Sequence, residues 1–203
     1  LAWNSFSLAF LAAIIAVTLA IILSYAKRTK PIKPVRTVIA MAGFGYALPG
    51  TIIAIGVLIP LAWADHSLIA LFESLGWDSP GLLLSGSLVA LLFAYTVRFL
   101  AVALGSVQSG LEKIKPSLDH AGRSMGHNPL TLLRKIHVPL MRSSILTALL
   151  IVFVDVLKEL PATLILRPFN FNTMAVRAYE LASDERLVDA APASIMIVLV
   201  GLI

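Results

Sequence analysis

The sequence has no cysteine and little charge: Asp, Glu, Lys and Arg together make up 13% of its 203 residues, against about 25% in an ordinary soluble domain. The first absence excludes disulfides and thiolate metal sites. The second excludes a water-soluble globule, because there is too little polar surface to cover one. In place of charge there are apolar residues, 59% of the chain. They fall in runs long enough to cross a hydrocarbon core, which takes about 20 residues. The composition therefore predicts an all-α, polytopic membrane protein. Its net charge of +5 reads as topology rather than nucleic-acid affinity, since the basic residues gather at the ends of the apolar runs.

Other chemistry is missing as well. Gly105 and Gly110 in GSVQSGLE have the spacing of a phosphate-binding loop. No Lys-Ser/Thr follows them, so nothing reaches a β- or γ-phosphate. His120, His127 and His137 share one segment without a convergent set of acids, which argues against a metal. No GxSxG nucleophile elbow occurs. Neither a catalytic residue nor a cofactor is expected.

Five spans are expected within one domain, 1–203, whose Leu-Ala-Trp start and apolar finish suggest a piece of a longer chain. The first runs from about Leu1 to Ala26 and ends at Lys27, Arg28, Lys30 and Lys33. This basic hinge sets topology, with anionic lipid binding as the alternative. The second, about Val35 to Trp63, is interrupted by Leu48-Pro49-Gly50 and by Pro60; the first break either lines a pathway or packs as a kink. Asp65 to Pro80, acidic and amphipathic, is expected on the outer membrane surface. The third span is Gly81 to about Leu104, with Arg98 near its inner end, where it snorkels to the headgroups or else serves a pore. The fourth, Leu140 to Leu166, carries Asp155, Lys158 and Glu159 at helical spacing, so that Lys158 pairs with Asp155 while Glu159 adjoins. Charges inside a span require partners and a face toward protein or water. They either gate a pathway or lock the bundle, with Pro161 breaking the helix just beyond. A short outer helix, Met174 to Ala182, precedes a fifth span from Ala190.

Between the third and fourth spans lies the polar segment 118–140, LDHAGRSMGHNPLTLLRKIHVPL. Gly126 is placed as the left-handed residue that ends one helix. Asn128 and Pro129 are the cap and first-turn proline that begin another, and Pro139 is expected to close it. Basic residues flank this elbow while the proposed outer loops are acidic, which puts the elbow in the cytoplasm by the positive-inside rule.

The spacing of Gly126, nine residues, then Ile136-His137-Val138-Pro139 resembles the EAA loop of type I ABC-importer permeases, EAA-xxx-G-x9-I-x-L-P. His120-Ala121-Gly122 falls on E-A-A, where only Ala121 matches; Asp119 is adjacent. YALPG from Tyr46, KELPATLILRPFNF and YELASDE look like the ferric-iron branch of that family. The resemblance implies the five-helix core of an inner-membrane permease, with no catalysis of its own. It implies a coupling loop through which a separate ABC ATPase acts, with Asp119, His120, Ala121, Gly126, Ile136 and Pro139 at the contact. It further implies a periplasmic binding protein delivering substrate, a second permease core, surrounding lipid, and a pathway or gate near Pro49, Asp155, Lys158 and Glu159. Two other readings stay open: a secondary transporter with Asp155 or Glu159 as ion relay, and a non-transporting membrane scaffold.

Overall fold

The computed structural model describes residues 1–202 as an assembly of helices, with no strand among them. Three helices form the centre: α1 (Ala2–Thr29), α4 (Leu88–Glu112) and α8 (Arg142–Leu157), each packed extensively on the other two. Small residues make this possible. Ala9, Ala12, Ala13, Ala16 and Ala20 of α1, Ala90, Ala94 and Ala103 of α4, and Ala148 of α8 are all essentially inaccessible. In lipid, where apolar surface gains nothing from burial, close backbone approach and van der Waals contact drive helix association. At Gly110 of α4 a Cβ would come within 2.6 Å of Ser144 of α8. Gly105 and Gly110 thus lie inside α4, and Gly110 is a helix-packing residue.

The outward faces carry large apolar side chains in the open, including Phe10, Ile22, Ile52, Ile59, Trp63 and Leu150. Such a belt would aggregate in water and suits hydrocarbon. Helices α1, α3 (Gly50–Ser74) and α4 are long and apolar enough to cross a membrane. A fourth crossing exists where Pro129–Leu140 and Arg142–Leu157, bent by 76°, are taken as one. The fifth expected span falls on α11 (Leu187–Gly201), an apolar helix of 15 residues, which at 1.5 Å per residue is shorter than a full crossing.

Several boundaries differ from the sequence reading. The second span is two helices, α2 (Lys33–Phe44) and α3, separated by the tight turn Gly45–Ala47 and an extended Leu48-Pro49. Pro60 does not interrupt α3, and the segment from Asp65 expected as a separate surface helix is its continuation to Ser74. Asp65 ties α3 to the segment that leads into α4. Its carboxylate, 1% exposed, accepts from the backbone N–H groups of Leu83, Leu84 and Ser85 at 3.1, 2.9 and 2.7 Å and from the Ser85 hydroxyl at 2.6 Å. The third span starts later than Gly81, at Leu88, where the Ser87 hydroxyl caps the helix through Val89 N–H. It also runs on to Glu112, so Arg98 sits near its middle rather than at its inner end. The fourth span stops at Leu157 and resumes as α9 (Pro161–Leu166), with Pro161 opening the second piece. The short helix expected over Met174 to Ala182 is α10 (Met174–Ser183), one residue longer.

Candidate functional sites

The elbow is built as its sequence dictates up to Pro139. Helix α5 (Pro116–Ser124) ends in a Schellman motif: His127 N–H reaches Gly122 C=O at 3.1 Å and Gly126 N–H reaches Arg123 C=O at 2.9 Å, with Gly126 at φ +80°. That conformation penalises any residue with a Cβ. The Asn128 side chain accepts from Thr131 N–H at 2.8 Å and starts α6 (Pro129–Leu132). Pro139, however, does not close the second helix. Val138 stays helical, and the chain passes through a widened π-type turn, Leu133–His137, into α7 (Val138–Leu140) before bending after Met141. A proline inside a helix forbids the bond to the carbonyl four residues back, and the wider turn before it takes up the strain. The chain therefore bends a few residues beyond the proline.

Gly122, unremarkable in the sequence, fixes how the two arms of the elbow meet. A Cβ there would come within 2.2 Å of Leu132 Cδ2, and Leu132 is buried. By contrast, nothing lies within 4 Å of a Cβ placed at Gly126. One glycine is needed for space, the other for backbone angle.

A polar cluster ties the elbow to the inner end of α1. Asp119 faces inward, accepting from Arg28 Nε at 2.7 Å and approaching His137 Nε2 at 2.7 Å, the latter outside hydrogen-bond geometry. Arg28 also donates to Leu111 C=O at 2.7 Å and Ile114 C=O at 2.8 Å, the end of α4. Tyr25 donates to Pro129 C=O at 2.8 Å, and its ring meets that of the fully buried His137 edge-on. His137 Nδ1 lies 3.1 Å from Leu132 C=O. Of the residues assigned to coupling, Asp119 is thus held within the chain, and Ile136 is half-buried against the Gly122 side of α5. His120, Ala121, Gly126 and Pro139 are exposed. With Met125 (67% exposed) and Leu130 (57%) they give the elbow a partly apolar free surface.

The second site lies between the middle of α4 and the break that follows α8. The three charges of the fourth span separate into two pairs. Lys158 Nζ meets Asp155 Oδ1 at 2.8 Å, as the spacing requires, but the lysine side chain is 60% exposed. Glu159 turns the other way and pairs with Arg98 of α4, Nε to Oε2 at 3.1 Å. The same arginine donates through Nη1 to Leu48 C=O at 2.7 Å. That carbonyl stands at the Pro49 break, and the arginine satisfies it as an interrupted membrane helix demands. Glu159 Oε1 accepts from Ala162 N–H at 3.2 Å, capping α9. Gly50 completes the junction, since a Cβ there would come within 2.5 Å of Glu159 Oε1 and 3.2 Å of Arg98 Nη1. The structure thus joins Pro49 and Glu159 through Arg98 and leaves Asp155 and Lys158 apart. The pairing of Arg98 with Glu159 was not foreseen because the two lie 61 positions apart; the arginine's only sequence signal is a charge inside an apolar run.

No family model matches the chain. Individual proteins do. The Fe(3+)-transport system permease protein FbpB 2 of Haemophilus influenzae is 26% identical over 172 residues, 74% of this chain and 34% of its own length. The putative 2-aminoethylphosphonate transport system permease protein PhnV of Salmonella typhimurium is 27% identical over 120 residues, 59% of this chain and 45% of its own. The maltose/maltodextrin transport system permease protein MalG of Photorhabdus laumondii is 29% identical over 177 residues, 86% of this chain and 55% of its own. The chain therefore spans a third to about half the length of the relatives it matches. Among solved structures, the inward-facing methionine ABC transporter superposes with a TM-score of 0.65 at 17% identity, covering 98% of this chain and 89% of that one. A bacterial alginate ABC transporter, solved with its alginate-bound periplasmic protein, gives 0.74 at 15% identity, covering 99% and 73%.

The fold is that of an ABC-importer transmembrane subunit, and in sequence the chain resembles the permease proteins of such transport systems. Within that class it resembles the ferric-iron branch, represented here by the Haemophilus permease.

Proposed function

We propose that this chain is the membrane-spanning part of an ATP-driven solute importer, and that segment 118–140 is its coupling loop. What carries the reading is the construction of the elbow. Its geometry is set from within by Gly122, Gly126 and the Arg28–Asp119–His137 cluster. Its free surface offers His120, Ala121, Met125 and Leu130 to another protein. In this reading a separate ABC ATPase seats that surface and hydrolyses the ATP, so the chain itself catalyses nothing. The His120-Ala121-Gly122 positions of the EAA pattern then contribute shape and packing. A displacement of the elbow passes to α4 and α8, which it joins directly, and to α1 through Arg28.

The junction of Pro49, Arg98 and Glu159 is the gate of this proposal. It ties a broken helix to the break between α8 and α9, so that separating the two frees a carbonyl, a buried carboxylate and a half-buried arginine together. Asp155 and Lys158 then stabilise the flank of the bundle. A periplasmic binding protein delivers the solute on the outer side, and a second permease core, fused or separate, completes the pathway. Iron(III) is the proposed solute, on the similarity to the Haemophilus permease alone.

The test is uptake into vesicles holding the full-length permease with its ATPase and candidate loaded binding proteins. ATP-dependent uptake of Fe3+, lost when Leu130 and Met125 are both changed to Asp, is the expected result. Uptake that needs an ion gradient and no ATPase would overturn the importer assignment, and ATP-driven uptake of another solute would overturn the iron assignment only.

A further inference from the structure

Where α1 and α4 reach the inner edge of the membrane, a crevice of about 210 Å³ opens between them, lined by Ser24, Lys27, Arg28, Gln108, Leu111 and Glu112. Its polar groups are unevenly occupied. Arg28 is largely engaged: Nε, Nη1 and Nη2 each donate once, to Asp119, Leu111 C=O and Ile114 C=O, which leaves two of its five N–H groups. Ser24 is the opposite case: it is 1% exposed and its hydroxyl has no hydrogen-bond partner. A buried hydroxyl without a partner is rare enough to require an explanation. Lys27 and Glu112 are exposed, and neither belongs to an ion pair among the described residues.

We infer that this crevice binds the headgroup of a zwitterionic phospholipid of the phosphoethanolamine type. One free cation, one free anion and an unfilled hydroxyl donor on two neighbouring helix ends complement a phosphate joined to a primary ammonium. Lys27 and the Ser24 hydroxyl face the phosphate, the Gln108 amide assists, and the Glu112 carboxylate takes the ammonium. Basic crevices between helices on the cytoplasmic side are established settings for lipid headgroups, but here the carboxylate disfavours a purely anionic lipid. The apolar wall given by Leu111 suits the glycerol and first acyl carbons. A lipid held there would brace α1 beside Arg28, one helical turn from the contact with the elbow. This site is independent of whether the elbow binds an ATPase.

The experiment uses the full-length permease, stripped of lipid in detergent and exposed to mixed micelles of phosphatidylethanolamine and phosphatidylglycerol with matched acyl chains. Bound lipid is counted by native mass spectrometry. Retention of one ethanolamine lipid per chain over the glycerol lipid, by about tenfold for one well-placed charge contact, is the expected outcome. Glu112→Gln should erase that preference while leaving some binding, and Lys27→Ala should abolish retention. Ser24→Ala should weaken it. Lys27 and Glu112 are exposed, so their replacement leaves the fold intact. Equal retention of both lipids by the unaltered protein, or unchanged retention in all three variants, would overturn the proposal. So would competition by soluble glycerophosphoethanolamine at equal concentration, since the site would then belong to a soluble ligand.

Discussion

At the scale of single residues, the two glycines of the elbow make different demands that mutation can separate. Gly126→Ala places a Cβ in open space but in a left-handed conformation, an expected loss of about 1–2 kcal/mol. Gly122→Ala keeps an ordinary helical backbone and drives a methyl into Leu132, an overpacking expected to destabilise by about 1–3 kcal/mol. Thermal unfolding of the two variants should show both losses. A Gly122→Ala,Leu132→Ala double variant should recover part of the second only, and no recovery would refute the packing role. Arg98 and Glu159 make a comparable pair. Removing one partner leaves a buried charge alone, which typically destabilises by about 3–5 kcal/mol. Arg98→Met should therefore reduce folded yield more than Arg98→Met,Glu159→Gln, as size-exclusion chromatography of the purified protein would reveal. Lys158→Ala strands Asp155 alone rather than two acids, because Glu159 has its own cation. A milder defect follows, corrected by adding Asp155→Ala; persistence of the defect in the double variant would show that Lys158 acts elsewhere.

At the scale of elements, the elbow behaves as a cornered lever with three attachments: the ends of α4 and α8 through the chain, and α1 through Arg28, Tyr25 and their partners. Asp119→Asn leaves the hydrogen bonds sterically possible but removes the charge between Arg28 and His137. The expected result in reconstituted importer is ATPase activity with reduced transport per ATP, since the loop still seats its partner while α1 follows less closely. Unchanged transport per ATP would remove the cluster from the coupling path. The widened turn before Pro139 belongs to this scale too. Local rules gave the elbow's cap, glycine and first proline correctly, because each is decided by contacts within six residues. They failed at Pro139 because a proline's effect depends on whether the preceding turn can widen. They failed at Pro60 as well: α3 continues through it, and Asp65, five residues on, accepts from three backbone N–H groups of the segment that leads into α4.

At the scale of the whole molecule, small residues seam α1, α4 and α8 into a core whose outer surface is apolar, and the charges of Arg98, Asp155, Lys158 and Glu159 are paired. Cysteines introduced at His120 and Met125 should be labelled by a membrane-impermeant thiol reagent in inside-out vesicles and protected in intact cells. The opposite pattern would reverse the topology and leave the elbow no access to ATP. Much of the candidate coupling site was legible beforehand because a polar elbow between apolar spans is a local, periodic signal. The proposed gate was half legible: Pro49 and Glu159 stood out as a break and a charge, but nothing in the chain's order joins them.

By itself the sequence determined that this is a helical membrane protein and where its connecting loop turns. Those follow from hydrophobicity, charge and backbone preference, each a property of a residue and its near neighbours. Only the tertiary structure decided that Arg98 reaches both Leu48 and Glu159, that Asp119 turns toward Arg28 instead of outward, and that Gly122 and Gly50 must be small. These depend on which distant surfaces meet, and in a bundle assembled through close packing and paired polar groups that choice is made by the helices jointly.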